Sequence, residues 1–372
     1  MTDPEGRAAA VRDAIHQRRR AVNEAVPEYL TVEEPERLYE ATRYLLDAGG
    51  KRLRPTILML VAESLSADPV EEYRAVTPVD GGDRSPSGTA TDSIVAAATG
   101  SPQGNGGPVD IMAAAIAIEV IQSFTLIHDD IMDEDDLRRG VAAVHEAYDL
   151  ETAILAGDTL YAKAFEYLSA VGAPPDRTVR AHDVLARTCT EICEGQALDV
   201  DFETRSDVTI EEYRDMIRAK TAVLYGAAAV IPAILLGADD ETIEALHRFG
   251  IRIGEAFQIQ DDLLDLTTPS ERLGKRRGSD LIENKQTIVT LHARQQGVDV
   301  ANLIDTDDAS AVSEAEIDAA LAELRSVGSI EYARSLAEEF IAESRESLRV
   351  LPPGPAREQL EDLAWYLIER EY

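Results

Sequence analysis

The chain has 372 residues, 36 of them basic and 70 acidic, for a formal net charge of −34. That balance argues against nucleic-acid binding through a basic face and against attraction to anionic membranes. With 45% apolar and 5% aromatic residues the chain can bury a sizeable core, so the charge belongs to a globular protein.

Lysine occurs only at Lys51, Lys163, Lys220, Lys275 and Lys285, which leaves 31 of the basic residues as Arg. Such a surface suits high salt. A Lys that survives on it is a candidate for a task needing a compact ammonium.

In chain order, the N-terminal MTDPEGRAAAVRDAIHQRRR lacks the apolar run of a signal peptide, and a reducing, cytoplasmic setting is expected. Apolar residues recur at helical spacing through 34–48, 54–66, 110–134, 151–171, 177–199, 210–237, 240–266 and 314–349. No run of alternating β-branched residues stands out, so the fold class expected is all-α. Residues 77–108 are rich in Gly, Pro, Ser and Thr, and read as a disordered insertion within a single domain spanning 1–372. Cys189 and Cys193 read as small buried residues. The most apolar stretch, 221–237, is short and contains Pro232, which favours a buried helix over stable membrane insertion.

Two DDxxD clusters carry the chemistry: Asp129, Asp130 and Asp133 in LIHDDIMDEDDLRRG, and Asp261, Asp262 and Asp265 in FQIQDDLLDL. On a helix, this spacing projects the first and last carboxylates from one face, about 6 Å apart. Each cluster ends a long apolar run. Carboxylates there sit at the edge of a core and oppose the helix dipole, so they call for cations. Hard oxygen ligands suit Mg²⁺, which shares its remaining positions with water and phosphate oxygens, and a diphosphate held through metal follows. Basic residues stand where they would fit: Arg138 and Arg139 after the first cluster, Lys275 and Arg276 after the second, and Lys51, Arg52 and Arg54 in GGKRLRP. Lys220 before Thr221 and Lys285 in ENKQT have similar settings, whereas Lys163 reads as a solvated side chain.

GGKRLRP, LIHDDIMDEDDLRRG, EGQALD, KT, FQIQDDLLDL, GK and a later K-x-T follow in this order, and the whole resembles a trans-isoprenyl diphosphate synthase, most like the archaeal short-chain geranylgeranyl type. The resemblance implies a bundle of long helices around a deep central cavity, a homodimer, and several Mg²⁺ ions per active site, with Mn²⁺ as a substitute. It implies metal ligation by Asp129, Asp133 and Asp261, with Asp130 and Asp265 supporting and Asp262 completing the second catalytic cluster. An allylic diphosphate would meet Arg138, Lys220, Thr221, Gln258, Lys275 and Lys285. Isopentenyl diphosphate would meet Lys51, Arg54, Gln122 and Arg139. Gln122 stands where many members have His, and Asn284 where Gly is common. His128 reads as the donor or acceptor of a structural hydrogen bond, not as a base.

Product length follows from the helix carrying the first cluster. Phe124 lies five residues before Asp129, about 7.5 Å along the axis, beside the small Ser123. One aromatic there resembles the C20 pattern, so geranylgeranyl diphosphate is the expected product, with farnesyl diphosphate as intermediate or second product. A terpene cyclase would not need the second diphosphate site. An inactive regulatory subunit of the same fold would have lost an Asp cluster or a motif Lys.

Overall fold

A computed structural model describes residues 4–66, 70, 73–77, 108–269, 277–304 and 312–369. The helices expected from periodicity form: α2 Glu36–Asp47, α3 Leu53–Ser64, α4 Ile111–Met132, α5 Leu150–Ser169, α6 Pro175–Thr204, α7 Ile210–Ile217, α8 Val223–Leu236 and α9 Asp240–Thr267. The stretch expected as one helix over 314–349 divides into α11 Glu314–Ser326 and α12 Ser329–Ser347, because Gly328 between them takes φ +75°. Among the described residues, the helices of eight or more residues that come in addition are α1 Pro4–Tyr29, α10 Ile288–Gln295 and α13 Pro355–Glu369. In α1 the buried positions are 11, 14, 15, 18, 22, 25 and 26, a helical stripe that Arg18 interrupts with a charge. Arg18 can lie there because Glu63 pairs with it at 2.6 Å.

The chain divides into two compact units. Unit 1 comprises 1–187, 227–247 and 349–360; unit 2 comprises 188–226, 248–348 and 361–372. In unit 1, α4 is the central element and packs against α1, α2, α3 and α5. Its first eleven residues are all buried, and Asp110 caps it by accepting from the Ala113 N–H at 2.9 Å. In unit 2, α10 packs on α12 and α7, and α11 on α12.

The insertion expected at 77–108 lies almost wholly outside the described residues. Its two flanks are paired, however: Val76 and Val109 exchange both backbone hydrogen bonds, at 3.0 and 2.9 Å. Among the described residues two helical stretches, Ile111–Met132 and Ile210–Leu236, are long and apolar enough to span a bilayer, but 72% and 89% of the respective windows are buried within the protein. The reading of 221–237 as a buried helix therefore agrees with the fold.

The two cysteines differ, which corrects their reading as a buried pair. Cys189 is buried and Cys193 exposed, since four residues turn a helix side chain only approximately back to the same face. Burial pushes the Cys189 thiol up to about 12. In the native protein a disulfide reagent should therefore modify Cys193 alone, with Cys189 reacting only after denaturation; equal native reactivity of the two would contradict this packing.

Candidate active site

In unit 1 the first acidic cluster closes α4. Asp129 is half-buried, Asp130 is wholly buried and Asp133 is the C-cap residue. Asp130 accepts from Arg138 Nε at 2.5 Å, and the same guanidinium reaches Asp135 at 2.8 Å. Burial pushes the Asp130 carboxyl up to about 6, against the pull of Arg138. Its Oδ2 is buried and takes no hydrogen bond among the described residues.

Arg138 is placed by a small hairpin, β1 Leu137–Arg138 and β2 Val141–Ala142, a feature too short to show in a sequence pattern. The turn residues Arg139 and Gly140 have φ of +54° and +79°. Positive φ at both central positions is the mark of a type I′ turn, which matches the strand twist. The two neighbouring arginines therefore diverge. Arg138 faces the acids, while Arg139 donates from Nη1 to the carbonyls of Leu45, at 3.1 Å, and Gly49. Burial brings the Arg139 guanidinium down to about 10.

The GGKRLRP segment is shaped around that guanidinium. Gly50 takes φ +141°, a conformation that favours glycine, and a Cβ there would lie 2.9 Å from Arg139 Cζ and displace the guanidinium. Beyond it Lys51 is exposed, and Arg54 is half-buried in the first turn of α3 beside Pro55. On α4, Gln122 is half-buried and Ser123 fully buried. Phe124 is half-buried, with its ring edge-on to His128 at 4.8 Å and to Tyr161 of α5 at 5.3 Å. His128 Nε2 lies 3.2 Å from the Ile154 carbonyl, the kind of structural bond the sequence suggests.

In unit 2 a helix defect positions the cations. Between α7 and α8, residues Arg218–Ala222 form a π-helical turn in which Val223 N–H reaches back to Arg218 O. Such turns rotate side chains out of the α register. Here they present Lys220, paired with Asp199 at 2.6 Å, and Thr221, whose hydroxyl donates to Gln258 Oε1 at 3.0 Å. Gln258 donates in turn to Asp262 at 3.1 Å, and Tyr213 donates to the other Asp262 oxygen. Burial first, then Asp280 and Asp261, push Asp262 up to about 8. Asp265 is buried and serves the chain around it: it accepts from Ser279 Oγ at 2.7 Å and from Asp280 N–H at 3.1 Å.

Lys220, Thr221, Gln258, Asp262 and Lys285 line one cleft of about 130 Å³. Asp261, half-buried, and Asp265 do not line it. Lys275 lies outside the described residues. Asp199, Tyr213 and Asp280 also line the cleft. The sequence reading gave them no role. Asp199 carried a signal, as the acid of EGQALD; Tyr213 carried none, since nothing local distinguishes it from a core aromatic. Asn284, preceding Lys285, takes φ +56°, a conformation Gly adopts freely and Asn tolerates better than most residues.

These features define a helical protein with acidic helix ends and paired cations, and comparison with known proteins says which. The polyprenyl synthetase family profile matches residues 89–324. The geranylfarnesyl diphosphate synthase of Natronomonas pharaonis is 61% identical over 364 residues, covering 97% of this chain and 98% of that protein. The geranylgeranyl diphosphate synthase of Methanosarcina mazei is 46% identical over 360 residues, covering 97% and 98%. The structure of a geranylgeranyl pyrophosphate synthetase from Geoglobus acetivorans superimposes with a TM-score of 0.79 at 43% identity, covering 96% of this chain and 99% of that one. The chain belongs to the polyprenyl synthetase family, whose members are prenyltransferases of isoprenoid biosynthesis.

Two tests follow from the geometry. A Cβ on Gly195 of EGQALD would overlap the backbone of Ala219 and Lys220, so Gly195→Ala should lower stability to denaturant by about 1–3 kcal/mol. Asp130 and Asp262 keep protons in the native state at pH values where the unfolded chain, with Asp near 3.9, has lost them. Stability of the chelator-treated protein should therefore fall as pH rises from about 4 to about 8. Thermal midpoints across that range check the sign, and Asp262→Asn should flatten the slope.

Proposed function

We propose that the protein condenses isopentenyl diphosphate with allylic diphosphates, head to tail and in trans geometry, to give geranylgeranyl diphosphate by way of farnesyl diphosphate. The observation carrying this reading is that each acidic cluster has cations close by: Arg138 on Asp130, and Lys220 and Lys285 in the cleft that Asp262 lines. A diphosphate needs that combination, because it is bound as an anion and leaves as one.

The donor set fits Mg²⁺. The carboxylates are hard oxygen ligands at helix ends, and Asp130 keeps a buried oxygen without a hydrogen bond among the described residues. Asp129, Asp133 and Asp261 would hold the metal, with Mn²⁺ as a substitute. Bound there, the ions would supply positive charge to the leaving diphosphate. Arg138, Lys220, Thr221, Gln258, Lys275 and Lys285 bind the allylic diphosphate and stabilise charge on its oxygens as the carbon–oxygen bond breaks. Lys51, Arg54, Gln122 and Arg139 orient the isopentenyl unit so that its double bond meets the allylic carbon. Asp262 orients Gln258, and Asp265 secures the turn bearing Asp280. A deep apolar cavity of the kind the family resemblance implies would exclude water from the cationic carbon.

The same reading makes residues 1–372 one catalytic domain of a cytoplasmic homodimer working in high salt. Leu150, Ile154 and Tyr161 are exposed along one face of α5, which supports a partner subunit there. A C25 product is a second reading, favoured by the 61% identity to a geranylfarnesyl diphosphate synthase. A cyclase is disfavoured by the elaborate setting of GGKRLRP, which it would not need.

Labelled isopentenyl diphosphate offered with C5, C10 and C15 primers, with and without Mg²⁺, tests the proposal by product sizing. Incorporation should require both primer and metal; cyclised hydrocarbon from one primer would refute it. Asp129→Ala and Asp261→Ala should each lower kcat by at least about 10²-fold. Phe124→Ala should shift the product to chains longer by one or more C5 units, and unchanged lengths would remove Phe124 as the limit.

A further inference from the structure

Arg52 lies between Lys51 and Arg54, yet its side chain is fully buried against Glu119 of α4, itself only 4% exposed. Besides that ion pair, Arg52 donates from Nε to Asn23 Oδ1 at 3.0 Å and from Nη2 to the Leu46 carbonyl at 2.6 Å. Its own carbonyl accepts from both the N–H and the hydroxyl of Thr56, at 3.0 and 2.8 Å. One residue thus ties α1, α2, α3 and α4 together. It does so at φ +51°, a conformation that a non-glycine residue keeps only where its surroundings enforce it.

The partner carboxylate is equally well placed. Glu119 stands one helical turn before Gln122, and its Oε1 is 3.9 Å from Arg139 Nη2. Lys51, Arg52, Arg54 and Arg139 gather like charge that must persist before any ligand arrives. A carboxylate within such a group offsets the repulsion. Being buried, it presents little negative charge to an incoming anion.

We propose that Glu119 and Arg52 are positioning residues for the isopentenyl diphosphate subsite, holding Lys51, Arg54, Gln122 and Arg139 in register without touching the ligand. This rests on the subsite assignment given above. The pair differs from a simple core ion pair in its reach: Lys51 adjoins Arg52 and Arg54 follows it by two residues, Gln122 stands a turn from Glu119, and Arg139 is ion-paired with Glu119.

The test is a comparison of Michaelis constants in the full-length protein. The double variant Arg52→Met/Glu119→Met removes both charges while filling the volume, a replacement that buried ion pairs often tolerate. Glu119→Gln, which keeps the shape and removes only the charge, is the second variant. Each folded variant should raise KM for isopentenyl diphosphate at least about tenfold, while KM for the allylic primer stays within about twofold. Glu119→Asp should restore part of the loss. An active wild type whose variants show unchanged constants, or an equal rise in both, overturns the positioning role alone. Failure of both variants to fold would also overturn it, by assigning the pair to folding. A wild type that incorporates no isopentenyl diphosphate removes the prenyltransferase reading beneath it.

Discussion

Asp130 is wholly buried at the C-terminal end of α4, where desolvation and the helix dipole both oppose its charge. Arg138 answers it directly, and the hairpin exists in effect to bring that guanidinium back onto the helix that precedes it. The same tension recurs in unit 2 with different means. Asp262 is buried in α9 and is answered by neutral donors, Tyr213 and Gln258, so burial prevails and its proton is held to about pH 8. On the proposed function, positive charge brought to the neighbouring Asp129, Asp133 and Asp261 would offset this cost.

Close backbone approach is the second condition. Gly50 lets the chain fold over Arg139, and Gly195 lets α6 lie against the π-helical turn that presents Lys220 and Thr221. Both glycines belong to motifs with charged neighbours, GGKRLRP and EGQALD, and their role is to admit those neighbours. Three of the four non-glycine residues with positive φ among the described residues serve related ends: Arg52 and Arg139 in unit 1, and Asn284 beside Lys285 in unit 2. Strain of this kind is held by surrounding hydrogen bonds and gathers where side chains must be aimed.

Much of this was legible in the sequence. Helical periodicity located most of the long helices because a buried face demands apolar residues every three to four positions. It missed α1, whose stripe carries the buried Arg18, and it ran α11 and α12 together because the pattern continues through Gly328. The acidic clusters and most of their cations could be found from spacing alone. Tyr213 and Glu119 could not, since each acts only through a partner distant in the chain, Asp262 and Arg52. Nor could the divergence of Arg138 and Arg139, which depends on a two-residue turn.

The sequence by itself determined the helical class, the family motifs, the acidic helix ends and the identity of the cations near them. These are properties of composition and short-range spacing, and they need no knowledge of which helix meets which. The tertiary structure alone decided that Asp130 is sealed under Arg138, that Arg139 turns away to the glycine loop, and that Asp265 serves its neighbouring turn. A carboxylate's behaviour depends on how much water it loses and which donors it gains. Both are set by contacts between residues far apart in the chain.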